Sequence, residues 1–181
     1  MSSSAKGPKD NDFTIRIANV NGTGSASANA MLMKALFRMG IPVCGKNYFP
    51  SNIQGLPTWY EIRASGHGHL ARSGRVDVMV AMTAATYARD HACVAPGGYL
   101  IYDSTWPRSQ LFNRTDIHVI GVPLSRICNE NFAQARSRIL MKNIMYVGVL
   151  AQLLDIEPEV IAELIGEQYK GKEKLLKPNL D

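Results

Sequence analysis

The segment 19–29, NVNGTGSASAN, holds the residues whose types and spacing most directly suggest chemistry. Gly22 and Gly24 flank Thr23 between a short apolar run and a helical pattern. Glycines there let the backbone turn sharply and come close to a ligand, and the N-terminus of the following helix offers free N–H groups and a partial positive charge. The pattern predicts a turn that binds a phosphate group. The simpler alternative is that the glycines only form a tight strand-to-helix connection.

The charge pattern around this turn narrows the choice of ligand. The dinucleotide fingerprint G-x-G-x-x-G is incomplete, because Ser27 stands at its third glycine. No Asp or Glu occurs in residues 13–60, whereas NAD-binding folds use an acidic residue to hold the ribose hydroxyls. The sequence therefore favours an anionic ligand other than NAD. Lys46, near the end of the predicted second strand, is placed to meet an extra phosphate, such as the 3′-phosphate of coenzyme A or the 2′-phosphate of NADP.

Alternating apolar runs and helical patterns predict the elements that position this turn. Such alternation is typical of an α/β fold with a largely parallel sheet. Strands are predicted at 13–18, 41–44, 59–64, 76–82, 99–102 and 118–122, and helices at 26–39, 84–93, 132–154 and 158–169. Residues 45–57 contain two prolines and two glycines, which predicts an irregular loop, and a loop of that length usually has a function.

Length, charge and cysteine content limit the class of protein. A chain of 181 residues predicts one substantial core and one domain. The net charge of +5 is spread among single basic residues, which argues against a nucleic-acid partner. No apolar run reaches the length of a membrane span and no signal peptide is recognisable. Three widely spaced cysteines fit reduced thiols, so we expect a cytoplasmic protein without a metal cluster.

Several other residues invite a functional or a structural explanation. Met82 and Thr83 lie at the carboxyl end of the predicted fourth strand, where ligands sit in open parallel sheets, although Thr83 could equally be only a helix cap. His67 and His69 could ligate a metal, but the surrounding glycines and serines favour an exposed hairpin tip. Trp106 could anchor an interface or only pack on the sheet.

Five strings in the chain resemble a known family. They are NGTGSASAN, RMGIPVCGKNYFPSNIQGLPTWYEIR, VDVMVAM, PGGYLIYDST and KNIMYVGVLAQLL, and the likeness covers residues 13–181. The chain resembles the gamma domain of 2-oxoacid:ferredoxin oxidoreductases, in the form fused to the N-terminus of the alpha subunit in enzymes of the 2-oxoglutarate type. The string GKNYFPSNIQGLPTWYEIR is the most specific part of the likeness. The resemblance implies a three-layer α/β/α sandwich, Rossmann-like, with a mixed but mainly parallel sheet.

The resemblance also implies a role and a set of partners. Enzymes of this family decarboxylate a 2-oxoacid on thiamine diphosphate, pass electrons through 4Fe-4S clusters to ferredoxin, and release an acyl-coenzyme A. The gamma domain positions coenzyme A, a proximity role that requires no catalytic acid or base in this chain. The chain lacks a thiamine-diphosphate string and a four-cysteine ferredoxin run, so we expect both cofactors on the alpha and beta subunits. Residues 1–11 are expected to be a disordered tail, 12–171 the gamma domain, and 172–181 the start of a linker to an alpha domain outside this chain.

Ligand-contacting residues are carried over position by position. The family loop G-x-G-G-x-G aligns with Gly22, Gly24, Ser25 and Ser27, so that serine replaces two glycines as in the fused form. A second loop, which borders the cleft between subunits in the family, aligns with residues 51–55. The predicted contacts with coenzyme A or a partner subunit are Asn21, Gly22, Thr23, Gly24, Ser25, Lys46, Ser51, Asn52, Gln54, Met82 and Thr83.

Two alternatives to the gamma-domain interpretation remain. One is a free-standing NADP-dependent oxidoreductase with a degenerate fingerprint, which predicts binding of NADP without preference for coenzyme A. The other is a structural domain whose loop has lost its ligand, which predicts assembly with partner subunits but no nucleotide binding.

Overall fold

Six strands and five α-helices make up the part of the chain that the computed structural model describes, residues 11–49 and 56–170. The strands are β1 (Asp12–Val20), β2 (Val43–Tyr48), β3 (Pro57–Ser65), β4 (Val76–Ala81), β5 (Val94–Asp103) and β6 (His118–Val122). The helices are α1 (Ser25–Arg38), α2 (Tyr87–Cys93), α3 (Leu124–Asn131), α4 (Ala135–Leu153) and α5 (Pro158–Gln168). Short 3₁₀ turns lie at Ala84–Thr86 and Ser109–Phe112.

The strands form one mixed sheet in the order β2-β3-β1-β4-β5-β6. β1, β4, β5 and β6 run parallel to one another, and β3 is antiparallel to both β1 and β2. The predicted α/β fold with a mainly parallel, mixed sheet is confirmed. After β1 the chain continues to β2 and β3, towards one edge of the sheet, whereas after β4 it continues to β5 and β6, towards the other edge. A crevice therefore opens beyond the carboxyl ends of the neighbouring strands β1 and β4, and we call this place the switch point.

Alternation along β1 assigns the two faces of the sheet. Ile15 and Ile17 point to one face and pack in the larger core with residues of α1, α4 and α5. Ala18 points to the other face, where α2 and the 3₁₀ turn at 109–112 cover a smaller core. Helices therefore cover both faces, which gives three layers.

The second strand differs from its prediction. It was predicted at 41–44, but it runs over Val43–Tyr48 and takes up the first residues of the expected irregular loop. Its pairing with β3 places Lys46 opposite Glu61. The polar string GKNY gave no strand signal because β2 is an edge strand whose central residues are exposed to solvent.

Two other boundaries also moved. Helix α3 was not predicted at all, and the helix predicted at 132–154 is α4, which begins at Ala135. β5 begins at Val94, five residues before the predicted start, because its first part contains Pro96, Gly97 and Gly98, which read as a turn. The predicted N-terminal tail and linker lie almost wholly in residues 1–10 and 171–181, outside the described residues, so the domain boundaries stay a prediction.

Candidate functional site

The turn between β1 and α1 depends on glycine at two positions. Gly22 has φ 87° and Gly24 has φ 79°, a left-handed conformation that other residues rarely adopt. Among residues 11–49 and 56–170, no atom lies within 4 Å of the position that a Cβ at Gly22 would take, so the described part of the chain leaves the backbone there open. A Cβ at Gly24 would lie 2.7 Å from Leu140 Cδ2 on α4. One glycine thus keeps the turn open to a ligand, and the other lets α4 approach it.

Two buried asparagines hold the turn in place. The Asn19 side-chain oxygen accepts hydrogen bonds from the Val20 N–H at 2.8 Å and from the Thr23 hydroxyl at 3.3 Å. Its amide nitrogen donates to Asn143 Oδ1 at 3.1 Å. Asn143 in turn donates from Nδ2 to the carbonyl oxygen of Thr23 at 2.8 Å. Helix α4 therefore fixes the conformation of a turn that lies about 120 residues earlier in the chain.

A second buried polar contact locks α4 to α1. The Tyr146 hydroxyl donates to Asn29 Oδ1 at 2.8 Å, and neither side chain is more than 4% exposed. Burial raises the pKa of the Tyr146 phenol far above its ordinary value, so the hydroxyl stays protonated and remains a donor. The N-terminal half of α1 is thereby fixed against the helix that also holds the glycine turn.

The first turn of α1 is uncapped by any side chain. Gly24 is the N-cap residue and makes no side-chain cap, and among the described residues no other side chain bonds to the first backbone N–H groups. Ser27 donates its hydroxyl to the Gly24 carbonyl at 3.2 Å, and Ser25 is buried. Neither serine has a positive φ, so replacing the family glycines here imposes no strain. The backbone N–H groups at the N-terminus of this 14-residue helix are available to an anion.

Met82 and Thr83 lie beside this turn, across the switch point. The Met82 N–H donates to the Ala18 carbonyl at 3.0 Å, which continues the pairing of β4 with β1 beyond the last strand residue. The Met82 side chain is buried in the larger core. Thr83 is the half-exposed residue before a 3₁₀ turn, and its side chain makes no cap hydrogen bond. Of the two, Thr83 is the residue with a side chain free of the core.

The predicted second loop, residues 51–55, lies wholly outside the described residues. Ser51, Asn52 and Gln54 lie outside the described residues. The carbonyl of Leu56 accepts a hydrogen bond at 3.1 Å from the N–H of Asn21, the residue before the glycine turn. The residue that follows the second loop is therefore hydrogen-bonded to the residue that precedes the glycine turn.

Lys46 is separated from the glycine turn by the sheet. Its neighbour Gly45 faces α1, because a Cβ there would lie 2.7 Å from Met33 Sδ of that helix. Lys46 must point to the opposite face, where its Nζ lies 5.5 Å from the Tyr48 ring centroid. Its side chain therefore lies on the face of the sheet opposite to α1. Its contact with a ligand remains a prediction.

A further polar cluster lies at the carboxyl end of β5, and sequence analysis did not single it out. The buried Asp103 carboxylate accepts hydrogen bonds from the backbone N–H and hydroxyl groups of Ser125 and Thr105. Burial alone raises the pKa of Asp103, but these hydrogen bonds outweigh burial and hold it below its ordinary value. Lys142 Nζ lies 3.4 Å from Ser125 Oγ and 4.0 Å from Asp103 Oδ2.

Asn143 and Tyr146 were missed as site residues because sequence analysis predicted only a helix over 132–154 and gave neither of them a partner. A signal was present in the sequence, since Asn143 lies four and seven positions before Val147 and Leu150 and therefore falls on the same buried face of the helix. A polar residue at a core position needs a hydrogen-bond partner, so its presence indicates a specific contact.

Residues 11–49 and 56–170 contain neither a cluster of metal ligands nor a membrane-spanning helix. The ring centroids of His67 and His69 are 6.1 Å apart, and no group of three or more His, Cys, Asp or Glu side chains gathers around them or elsewhere in these ranges. None of the helices there has the length and apolar character required to cross a bilayer.

Comparison with known proteins decides the family. The model of the family described as pyruvate ferredoxin/flavodoxin oxidoreductase matches residues 14–181, essentially the whole described fold. The chain belongs to this family. A curated relative is the alpha subunit of 2-oxoacid:ferredoxin oxidoreductase 2 from Aeropyrum pernix, which is 22% identical over 207 residues. That match covers 94% of this chain but only 32% of the relative, so the chain spans about a third of its length.

Solved structures of the oxidoreductase family share the fold. The 2-oxoglutarate:ferredoxin oxidoreductase from Magnetococcus marinus, with 2-oxoglutarate, coenzyme A and succinyl-CoA bound, superposes with a TM-score of 0.81 at 24% identity over 94% of this chain and 29% of its own. The pyruvate oxidoreductase subunit PORC from Thermotoga maritima gives 0.75 at 18% identity, with 94% and 92% of the two chains covered. The gamma subunit of keto/oxoacid ferredoxin oxidoreductase from Geobacter sulfurreducens gives 0.70 at 17% identity, with 93% and 92% covered. The last two structures correspond to nearly the whole of a separate subunit.

Proposed function

We propose that this chain is the gamma domain of a 2-oxoacid:ferredoxin oxidoreductase of the 2-oxoglutarate type and that it positions coenzyme A for acyl transfer. The observation that carries the proposal is the turn at Gly22 and Gly24. It faces open space in front of the uncapped α1 N-terminus, at the switch point of the sheet. Family membership and the coenzyme A bound in the Magnetococcus marinus relative support it.

The residues at the turn fit a phosphate-bearing ligand. Ligand atoms can reach the backbone at Gly22 because no atom of the described residues shields the position of its missing Cβ. The N–H groups of the first turn of α1 supply donors and a partial positive charge. Residues 13–60 contain no carboxylate that would repel the phosphates. Thr83 and Asn21 flank the same crevice and complete a polar rim.

In this proposal the chain contributes binding and orientation. Decarboxylation and electron transfer belong to thiamine diphosphate and 4Fe-4S clusters on alpha and beta subunits or domains, with ferredoxin as the acceptor. Coenzyme A supplies the thiol that accepts the acyl group. Residues of the turn would hold its phosphates, and Asn19 and Asn143 would keep the turn in the binding conformation. Such positioning lowers the barrier by converting a bimolecular encounter into an oriented one.

Calorimetric titration of the chain with coenzyme A, dephospho-coenzyme A and NADP tests the proposal. We expect coenzyme A to bind most tightly. Gly22→Ala should weaken it, because a Cβ would enter the space where the ligand approaches the backbone. Gly97→Ala is the matched control, since Gly97 also has a positive φ of 77° and an open Cβ position but lies near the start of β5, away from the carboxyl edge.

Each alternative has its own outcome in this titration. Preferential binding of NADP would replace the proposal with an NADP-dependent oxidoreductase. Absence of any nucleotide binding, in a chain that still assembles with alpha and beta subunits, would favour a structural domain. Equal loss of affinity in Gly22→Ala and Gly97→Ala would show that the effect is general and that the turn is not the site.

A further inference from the structure

A groove between α3 and α4 lies next to the glycine turn. It encloses about 250 Å³ and is lined by Trp106, Ser125, Asn129, Arg138, Ile139 and Lys142, among others. We refer to it as the α3–α4 groove. None of these residues was assigned a role from the sequence pattern of the turn, and Trp106 was left open between an interface anchor and a packing residue.

Helix α4 joins the groove to the turn. Leu140 and Asn143, three positions apart, contact the turn at Gly24 and Thr23. Ile139 and Lys142 each precede one of these residues by a single position, and they line the groove. Because successive residues of a helix are rotated by about 100°, the two pairs form adjacent stripes on one helix. The groove is therefore separated from the turn only by the side of α4.

The groove carries positive charge. Lys142 is about a quarter exposed at its rim. The Asp103 carboxylate lies 4.0 Å from Lys142 Nζ, at the outer limit of an ion pair, and is also engaged by hydrogen bonds from Ser125 and Thr105, so it offsets the charge of the lysine only in part. Arg138 donates to the carbonyls of Phe132 at 2.6 Å and Ala133 at 3.1 Å, which fixes its guanidinium at the groove. Two cations and an exposed aromatic ring thus line one cavity.

The groove also offers an apolar, stacking surface. Trp106 is 55% exposed and Ile139 is 43% exposed, although both are large hydrophobic residues. An exposed indole is a good platform for a nucleobase, and such stacking contributes about 1–3 kcal/mol per base in single-stranded nucleic-acid complexes. An indole beside two cations is complementary to a purine nucleoside phosphate, whose base can stack on the ring while its phosphate pairs with the cations.

We propose that the α3–α4 groove receives the nucleotide end of the ligand bound at the glycine turn, with adenine on Trp106 and the 3′-phosphate on Lys142 and Arg138. This inference rests on the proposed function and adds a subsite to it. It gives the role of phosphate-reading lysine to Lys142, on the same side of the sheet as α1, instead of Lys46 on the opposite face.

The test compares coenzyme A with dephospho-coenzyme A on the full chain. In wild type we expect the 3′-phosphate to increase affinity. Lys142→Gln should reduce the affinity ratio of the two ligands about ten- to hundredfold, the size of one charge-assisted hydrogen bond. Lys142→Arg should retain the ratio, which separates a charge role from a packing role. Lys46→Gln is the matched control and should leave it unchanged.

The aromatic contact has an independent readout. Adenosine 3′,5′-bisphosphate should shift the Trp106 indole N–H signal in a saturable way, and Trp106→Ala should weaken coenzyme A binding. Phe112→Ala, which removes an aromatic side chain that is 57% exposed on the opposite face of the sheet, should not. The amide spectrum of each variant checks that it is folded.

Three results would overturn the inference, and the first two of them leave the proposed function standing. If coenzyme A binds and Gly22→Ala weakens it while Lys142→Gln and Trp106→Ala do not, the groove is not the subsite although the proposed function stands. If Lys46→Gln alone removes the preference for the 3′-phosphate, the subsite is on the other face. If wild type binds neither coenzyme A nor adenosine 3′,5′-bisphosphate, the proposed function and the inference both fail.

Discussion

The Asn143 side chain donates a 2.8 Å hydrogen bond to the carbonyl of Thr23, so that α4 fixes a turn formed early in the chain. Asn143 is only 2% exposed, and it also accepts a hydrogen bond from Asn19. A buried amide with both ends engaged has one favourable orientation. The relationship makes the conformation of the ligand-facing turn a property of the whole core.

Asn143→Asp should release the turn. The substitution preserves shape but replaces the Nδ2 donor with a carboxyl oxygen facing the Thr23 carbonyl, which costs about 1–3 kcal/mol of folding free energy. Amide hydrogen exchange at residues 22–25 should accelerate more than exchange in β4 or β5. Asn131→Asp is the control, because Asn131 donates to the Ile127 carbonyl at an exposed site. Unchanged exchange at the turn would contradict a positioning role for Asn143.

Gly24→Ala should destabilise the fold more than Gly22→Ala. Both substitutions impose a left-handed conformation on alanine, which costs roughly 1–2 kcal/mol. Only the Cβ at position 24 also approaches Leu140, at 2.7 Å from Cδ2. Urea denaturation measures the difference, and it should shrink when both variants are placed in a Leu140→Ala background. A difference that persists there would mean that the contact with α4 is not its cause.

Tyr146→Phe should destabilise the protein by about 1–3 kcal/mol, because it leaves the buried Asn29 amide oxygen without its donor. Tyr60→Phe is a matched control, since the Tyr60 hydroxyl faces only the weak acceptor Met33 Sδ at 3.4 Å. Thermal unfolding of both variants supplies the comparison. Equal effects of the two substitutions would argue against the α1–α4 lock.

Asp103→Asn should be more destabilising at pH 7 than at pH 3.5. The pKa of Asp103 is raised by burial but lowered further by hydrogen bonds, chiefly from Ser125, so that it lies below its unfolded value. The ionised carboxylate therefore stabilises the fold above the unfolded pKa of about 3.9, and this contribution is lost as the pH falls through the folded pKa. Urea denaturation at the two pH values measures it.

Asp90 is an internal control, because its pKa is shifted in the direction opposite to that of Asp103. Burial raises the pKa of this carboxyl group, and hydrogen bonds from Thr86 and Trp59 offset the effect only in part. The folded state binds the proton more tightly, so the destabilisation by the charge appears as the pH rises above the unfolded pKa. Asp90→Asn should therefore be less destabilising at pH 7 than at pH 3.5. The same pH trend in both variants would refute the assigned shifts.

Sequence analysis predicted the parts of the site that are contiguous in the chain. The turn at Gly22 and Gly24 was recognisable because a strand, two glycines and a helix follow one another within a few residues. Met82 and Thr83 were placed at the same edge because the carboxyl ends of parallel strands share it. Local sequence could also predict the mixed α/β fold, since each strand except β2 has its own apolar run.

The remainder depends on contacts between distant parts of the chain. Asn143 and Lys142 could not be linked to the turn without knowing which side of α4 packs against it. Lys46 was predicted to lie near the turn because the predicted second strand ended at residue 44, whereas the observed β2 continues through Lys46 to Tyr48. One residue of register decides the face of a strand on which a side chain lies, and local sequence does not fix that register for an exposed edge strand.

Hydrogen exchange of the chain in the presence of coenzyme A is the most direct test of the central claim, that the glycine turn and the α1 N-terminus hold the phosphates of this ligand. Saturating coenzyme A should protect the amides of residues 22–27. The protection should be lost in Gly22→Ala and retained in Gly97→Ala. Saturable binding that leaves these amides unprotected, or protection by NADP in preference to coenzyme A, would contradict the claim.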